Sequence, residues 1–170
     1  LGKNQFLILD TMNFWMDNNL EDLNKVISKV NLISINDEEA YLLTKEKSLE
    51  NCASKIIKKG PQYVIIKKGE LGAELYSKDE KFSLPSFRVK AIDPTGAGDT
   101  FAGGLAAYLS KNNKIDFNSL KKGLILGTIL ASFTVEGLGT SCIERVVKKN
   151  ILERLEIFIN KNKIDLNLSI

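Results

Sequence analysis

Short apolar runs alternate with helix-like segments through the first 70 residues of the chain. Residues 5–9, 31–35 and 63–66 are rich in Leu, Ile and Val, which is typical of buried strands in a parallel sheet. Residues 20–30 and 49–59 repeat apolar side chains every three or four positions, which predicts amphipathic helices. Strands that alternate with helices predict βαβ units. We therefore expect an α/β fold of three layers, αβα, with helices on both faces of a mainly parallel sheet.

Beyond residue 70 the pattern changes. Residues 73–76 and 81–84 flank a polar turn, which predicts a hairpin. Helical periodicity then marks three segments, and the Asn- and Lys-rich end is predicted to be a surface strand or tail. The segments are 99–109, 120–133 and 143–159, and the end is 160–170. The most apolar stretch, 123–135, is short and contains Thr and Ser, so it predicts a buried helix rather than a membrane span.

Composition limits the classes of function. At 170 residues the chain has the length of one domain, and we expect residues 1–170 to form it. A net charge of +3, with lysines spread along the chain, argues against a nucleic-acid-binding protein. The chain has no His, so a general base must be a carboxylate, Lys, Tyr or Cys. Cys52 and Cys142 lack metal-ligand spacing, which predicts buried free thiols in the reducing cytoplasm.

Residues 91–101 (AIDPTGAGDTF) carry the most chemical information. Gly96, Ala97 and Gly98 let backbone N–H groups approach an anion closely, and the helix that follows adds the donors of its first turn. Asp99 does not fit a plain anion site, because a carboxylate repels a phosphate. It fits if Asp99 accepts the proton of a hydroxyl that attacks the phosphate, while the three amides stabilise the phosphoryl oxygens.

A simpler interpretation of the same stretch stays open. Asp93 and Asp99 also suit an N-cap and a first helical turn, and the glycines suit a turn of the chain. The stretch lacks the GK[ST] ending of a Walker A loop. Phe101 stands where the dinucleotide fingerprint has its third Gly, so neither common phosphate motif applies.

Residues 93–104 (DPTGAGDTFAGG) closely resemble the C-terminal signature of the ribokinase-type (PfkB) carbohydrate kinases. The resemblance implies that Asp99 is the catalytic base and that the GAG amides form the anion hole. Pro94 departs from the family pattern, which has Thr there, and the catalytic positions are unchanged. The resemblance also implies a monovalent-cation site for K⁺, to which Asp93 and the carbonyl of Thr95 contribute.

Asn36 and Glu39 follow a predicted strand in an N-x-x-E arrangement. Physically this is a capping box at a helix start, which is a sufficient explanation. The resemblance adds that the family's other signature is a strand followed by N-x-x-E. It implies that Asn36 lies near the nucleotide phosphates and that Glu39 helps to organise Mg²⁺ through water.

Further candidates follow the other predicted strands. The segment around Asp10 and Asn13 resembles the family's Asp-x-x-Asn segment near the substrate, although both residues also suit a turn. Lys67, Gly69 and Gly72 resemble the family's T/K-x-G-x-x-G segment at the nucleotide, and an ordinary turn explains them as well. All these residues lie at the carboxyl ends of predicted strands, where open α/β sheets bind ligands.

The resemblance implies a ribokinase-like cytoplasmic kinase that uses ATP and Mg²⁺ to phosphorylate a sugar. It covers only the C-terminal half to three-fifths of the family, so we expect the lid and the N-terminal region, with most sugar contacts, to be absent. An uncovered sheet edge would then favour a homodimer. Two alternatives stay open: a nucleoside kinase of the adenosine type, and a non-catalytic nucleotide-binding module.

Overall fold

The computed structural model describes residues 5–112 and 114–165. The chain folds into two compact units, with the boundary between Leu84 and Pro85. Whether the two units behave as the single domain expected for residues 1–170 stays a prediction.

The first unit is built on a five-stranded sheet whose spatial order, β1-β2-β3-β4-β5, is the order of the chain. β1, β2 and β3 are parallel, whereas β4 pairs antiparallel with both β3 and β5. The predicted strands and the predicted hairpin are therefore confirmed. Their bounds are Ile8–Asp10 for β1, Leu32–Asn36 for β2, Tyr63–Lys67 for β3, Ala73–Tyr76 for β4 and Lys81–Leu84 for β5.

Four helices follow β1 and β2 in this unit. The two predicted amphipathic helices are confirmed as α2 and α4, each ending two or three residues early. The helix α1 was not predicted, because six residues are too few to show helical periodicity. The bounds are Asn13–Asn18 for α1, Leu20–Ile27 for α2, Asp37–Thr44 for α3 and Leu49–Ile57 for α4.

One hydrophobic cluster of the first unit packs on one face of the sheet. Ile33 and Ile35 of β2 pack in one cluster with Ile66 of β3, Ile27 of α2 and Ile56 of α4, and all five are fully buried. Burying a side chain of this size stabilises the fold by roughly 1.5–3 kcal/mol. This face holds β1, β2 and β3 in place, and so fixes the positions of the residues that end those strands.

The described part of the second unit is helical. Its helices are Ala97–Leu109 (α5), Phe117–Thr134 (α6) and Lys148–Asn162 (α7). The first two confirm the predicted helices, and α6 confirms that 123–135 is mainly a buried helix. Among the described helices, none is long and apolar enough to cross a membrane.

The prediction of one continuous helix over 143–159 is wrong. A 3-10 turn at Ile143–Arg145 is followed by extended backbone at Val146 and Val147, and only then does α7 begin. β-Branched side chains favour extended backbone, and the side chain of Asn150 accepts the Val147 N–H at 3.1 Å, which starts the helix there.

The predicted surface strand or tail at 160–170 is also corrected in part. Residues 160–162 belong to α7, because the helix continues until Lys163, which has a left-handed φ of 51°. Residues 166–170 lie outside the described residues. Of the two thiols, both are free, but only Cys52 is buried and Cys142 is partly exposed, since it lies in the surface turns before α7.

α5 and α6 pack closely because small residues face each other. A Cβ on Gly127 would lie 2.7 Å from the carbonyl oxygen of Phe101, and a Cβ on Gly104 would lie 3.0 Å from the Cα of Gly127. A Cβ at 2.7 Å would displace the neighbouring helix, and one at 3.0 Å would require a smaller shift, so both glycines favour this close contact. The close contact places the start of α5 beside the end of α6.

Candidate functional site

The first group of candidate residues lies at the carboxyl ends of the parallel strands. β1 ends at Asp10, β2 at Asn36 and β3 at Lys67. In the register of the sheet, Asp10 pairs with Ser34 and Asn36 pairs with Lys67. We call Asp10, Asn36, Glu39 and Lys67 the strand-end cluster.

Within this cluster Lys67 and Asp10 form an ion pair. The Lys67 Nζ lies 3.2 Å from Oδ1 and 3.1 Å from Oδ2 of Asp10, so it donates to both carboxylate oxygens. Asp10 Oδ1 also accepts the N–H of Thr11 at 3.0 Å. Both residues were candidates from the sequence, but nothing in the local pattern indicated that they pair.

The predicted capping box between Asn36 and Glu39 is confirmed. The Glu39 N–H donates to Asn36 Oδ1 at 2.7 Å, and the Asn36 N–H donates to Glu39 Oε2 at 2.9 Å. Burial raises the pKa of Glu39 above its ordinary 4.5, while the Asn36 N–H and the charge of Lys67 oppose that rise. Since the cap uses Oε2, the other oxygen is the atom of Glu39 that can accept from a metal-bound water.

The other candidates of the first unit lie in turns next to the cluster. Gly69 and Gly72 have left-handed φ values of 54° and 96°, and they bracket a 3-10 turn that follows β3. A Cβ on Gly69 would meet nothing within 4 Å, so the backbone there is open to a ligand, whereas Gly72 is buried. Asn13 is the exposed first residue of α1.

The second group of candidates lies at the start of α5, in residues 93–99, which we call the helix-start loop. Gly96 is the N-cap residue with a left-handed φ of 79°. The Ala97 N–H donates to the Pro94 carbonyl at 3.1 Å, while the N–H groups of Gly98 and Asp99 have no acceptor among the described residues. Two backbone donors are therefore free at the positive end of a 13-residue helix, as anion binding requires.

The end of α6 anchors this loop. The carbonyl of Val135 accepts the N–H of Ile92 at 2.7 Å and that of Asp93 at 3.3 Å. The buried Thr134 donates its hydroxyl to the Thr100 hydroxyl at 2.9 Å. Sequence reasoning missed Thr134 and Val135, because nothing in the local pattern reveals a partner more than 30 residues away.

Asp93 is folded back on the loop that it begins. Its Oδ1 accepts the Thr95 N–H at 2.9 Å. Bonds from the Thr95 hydroxyl, the Thr95 N–H and the Gly139 N–H hold the pKa of Asp93 below its ordinary 3.8. Asp99 is exposed in the first turn of α5. The described residues contain no group of three or more His, Cys, Asp or Glu side chains that could hold a metal ion alone.

Comparisons with known proteins identify the family of the chain. A family model described as pfkB family carbohydrate kinase matches residues 5–145. Inositol 3-kinase of Arabidopsis thaliana is 26% identical over 144 residues, which cover 85% of this chain and 35% of that protein. A nucleoside kinase of Methanocaldococcus jannaschii is 39% identical over 95 residues, which cover 55% of this chain and 29% of that protein.

Solved structures show the same fold. The ribokinase of Thermotoga maritima superposes with a TM-score of 0.71 at 28% identity, covering 92% of this chain and 50% of that one. The expected ribokinase-like α/β fold is thereby confirmed. The chain spans about a third of the length of the two curated relatives and half of the ribokinase.

Proposed function

Because this chain belongs to the pfkB family of carbohydrate kinases, we propose that it forms the nucleotide-binding and catalytic part of an enzyme that transfers a phosphoryl group from ATP to a sugar hydroxyl. The observation that carries the proposal is the helix-start loop. It combines a left-handed Gly96, free N–H groups at Gly98 and Asp99, and an exposed carboxylate on Asp99. A site that only binds anions has no use for that carboxylate.

In this proposal Asp99 accepts the proton of the attacking hydroxyl. The amides of Gly96, Ala97 and Gly98 face the phosphoryl oxygens and stabilise the charge that develops on them. The structure gives the Ala97 N–H an acceptor in Pro94, so we add the N–H of Asp99 to the donors. Asn36, Lys67, Gly69 and Gly72 are assigned to the nucleotide phosphates, and Asp10 and Asn13 to the substrate side.

The residues present fit the cations that such a reaction uses. Glu39 has one carboxylate oxygen outside its capping bond, which suits an indirect contact through water better than a direct ligand. Mg²⁺ bound with the nucleotide would neutralise charge on the phosphates. The carboxylate of Asp93 and the carbonyl of Thr95 would hold K⁺, and Asp93 is kept ionised by its hydrogen bonds.

A nucleoside is the second candidate substrate, because the nucleoside kinase of M. jannaschii is 39% identical over the residues matched. A non-catalytic nucleotide-binding module is the third, and the presence of Asp99 argues against it. We place the protein in the cytoplasm, since both described cysteines are free thiols. A homodimer remains part of the proposal, because β1 forms one edge of the described sheet.

Calorimetric titration of the 170-residue chain with Mg-ATP tests the first half of the proposal, and parallel titrations with Mg-ADP and adenosine separate phosphate from base contacts. We expect ATP and ADP to bind and adenosine to bind more weakly. A folded chain that binds none of them would contradict the nucleotide assignment. Phosphorylation of ribose, fructose, inositol and adenosine, followed by product detection, then separates sugar from nucleoside kinases.

A further inference from the structure

The Asp10–Lys67 ion pair spans the middle strand, β2, on one face of the sheet. Asp10 lies on β1 beside Ser34, and Lys67 lies on β3 beside Asn36, so all four side chains share one face and β2 runs between the paired charges. Outer strands of a three-strand set lie about 10 Å apart. The two side chains therefore meet over β2, on the face that carries Ser34 and Asn36.

This crossing fixes where the ammonium is held. A free lysine has four rotatable bonds and spreads its charge over many positions. Here both oxygens of Asp10 hold Nζ at 3.1 and 3.2 Å, and the ammonium lies close enough to Glu39 to oppose the rise of its pKa. The Ser34 side chain between the paired strands is fully buried, and its hydroxyl has no partner among the described residues.

The pair leaves Lys67 able to bind an anion. An ammonium has three N–H donors, and two carboxylate oxygens use at most two of them. Asp10 has less freedom, because its Oδ1 already accepts from Thr11 as well as from Lys67. The arrangement suits a carboxylate that acts through the lysine better than one that contacts a substrate directly.

We infer that Asp10 is a positioning residue, which holds the Lys67 ammonium across β2 at the carboxyl ends of the strands so that it can bind the nucleotide phosphates. The inference rests on the proposed function and changes one assignment in it, because Asp10 moves from the substrate side to the phosphates, on which it acts through Lys67. It also has a counter-intuitive consequence. Removing the negative charge of Asp10 weakens the binding of a polyanion, although Coulomb attraction alone would strengthen it.

The test is calorimetric titration of the full chain with Mg-ADP in four forms: wild type, Asp10→Asn, Lys67→Met and the double variant. We expect Lys67→Met to weaken binding about tenfold or more, as for loss of a charge-assisted hydrogen bond. Asp10→Asn should weaken it roughly three- to tenfold. The double variant should bind as weakly as Lys67→Met and no more weakly, because Asp10 acts only through Lys67. Unchanged or tighter binding by Asp10→Asn, or a double variant whose loss is the product of the two single losses, overturns the inference.

An exchange of the two residues separates positioning from a purely structural ion pair. The variant Asp10→Lys with Lys67→Asp keeps both charges but moves the ammonium to β1. We expect its thermal unfolding to stay closer to wild type than that of either single charge loss, while Mg-ADP binding stays as weak as in Lys67→Met. Wild-type affinity in the exchanged variant contradicts the inference.

A matched control removes a carboxylate from another lysine pair. Asp22 and Lys25 pair at 2.8 Å on the exposed surface of α2, and Asp22→Asn should leave Mg-ADP affinity unchanged. The wild-type titration keeps the two proposals distinct. Absence of binding by the wild type overturns the proposed function together with this inference, whereas binding by the wild type with no effect of Asp10→Asn overturns this inference alone.

Discussion

The strand-end cluster and the helix-start loop offer an anion two different kinds of groups. In the cluster, charged and polar side chains already satisfy one another, through the Asp10–Lys67 ion pair and the capping box of Asn36 and Glu39. In the loop, the groups available are backbone N–H donors. The cluster should therefore show strongly coupled substitutions, whereas the loop should depend on its backbone conformation and on one side chain, that of Asp99.

The largest effect is expected from that one side chain. Asp99→Asn keeps the size of the residue but removes the proton acceptor, so kcat should fall by roughly 10²–10⁴-fold while nucleotide affinity changes little. Turnover with the identified acceptor and calorimetry with Mg-ATP measure the two effects. Asp79→Asn, in the exposed turn between β4 and β5, is the matched control. Wild-type turnover by Asp99→Asn would contradict the assignment of the base.

The second effect concerns the packing of α5 against α6, which holds the helix-start loop in place. Gly127→Ala places a Cβ 2.7 Å from the Phe101 carbonyl oxygen and should destabilise the α5–α6 contact by about 1–3 kcal/mol. Urea unfolding measures the change. Gly103→Ala is the control, because a Cβ there meets nothing within 4 Å and Ala favours a helix by about 0.5–1 kcal/mol. Equal stability of the two variants would show that the close helix contact is not needed.

A third effect compares the two regions directly. Gly96 and Gly69 have left-handed φ values of 79° and 54°, and an added Cβ has room at both. Each substitution by Ala should therefore cost about 1–2 kcal/mol of backbone energy. Gly96→Ala should weaken Mg-ADP binding severalfold more than Gly69→Ala, because the helix-start loop binds through its backbone, whereas the segment of Gly69 also has the Lys67 side chain. Equal losses of affinity in the two variants would remove the distinction between the regions.

The smallest effect is a pH dependence in the strand-end cluster. Burial raises the pKa of Glu39 above 4.5, so the folded state binds this proton more tightly than the unfolded state. The stability that protonated Glu39 contributes is complete below the pKa of Glu39 in the unfolded state, and it is lost as the pH rises through the pKa of Glu39 in the folded state. The free energy of unfolding of the wild type, relative to Glu39→Gln, should thus fall as the pH rises above 4.5. Glu38→Gln controls for the loss of an exposed carboxylate nearby. A difference in the free energy of unfolding between wild type and Glu39→Gln that increases with pH would contradict the prediction.

Local chemistry explains which parts of the structure the sequence could predict. Apolar runs identified the parallel strands, the polar turn at 78–80 identified the hairpin, and the spacing of Asn36 and Glu39 identified the capping box. Each of these signals is complete within a dozen residues. The helix break at Val146 and Val147 was missed because the apolar spacing of 143–159 continues through it.

Long-range pairings could not be predicted in this way. Asp10 and Lys67 are 57 residues apart, and their ion pair depends on the register of three strands. Thr134 and Thr100 are 34 residues apart, and their contact depends on how closely α5 and α6 pack. A sequence gives the chemical types of such residues, whereas the fold decides which of them meet.

The strand order of the sheet has a consequence for how the chain folds. The spatial order of β1 to β5 is their order in the sequence, so each described strand pairs with the strand before it or the strand after it in the chain. Loop-closure entropy stays small for every pairing, which favours rapid folding, and the sheet can grow strand by strand as the ribosome releases the chain. The Asp10–Lys67 contact requires three strands at once, because β2 lies between the strands that carry the two residues. Its formation therefore marks the point at which β1, β2 and β3 have all paired.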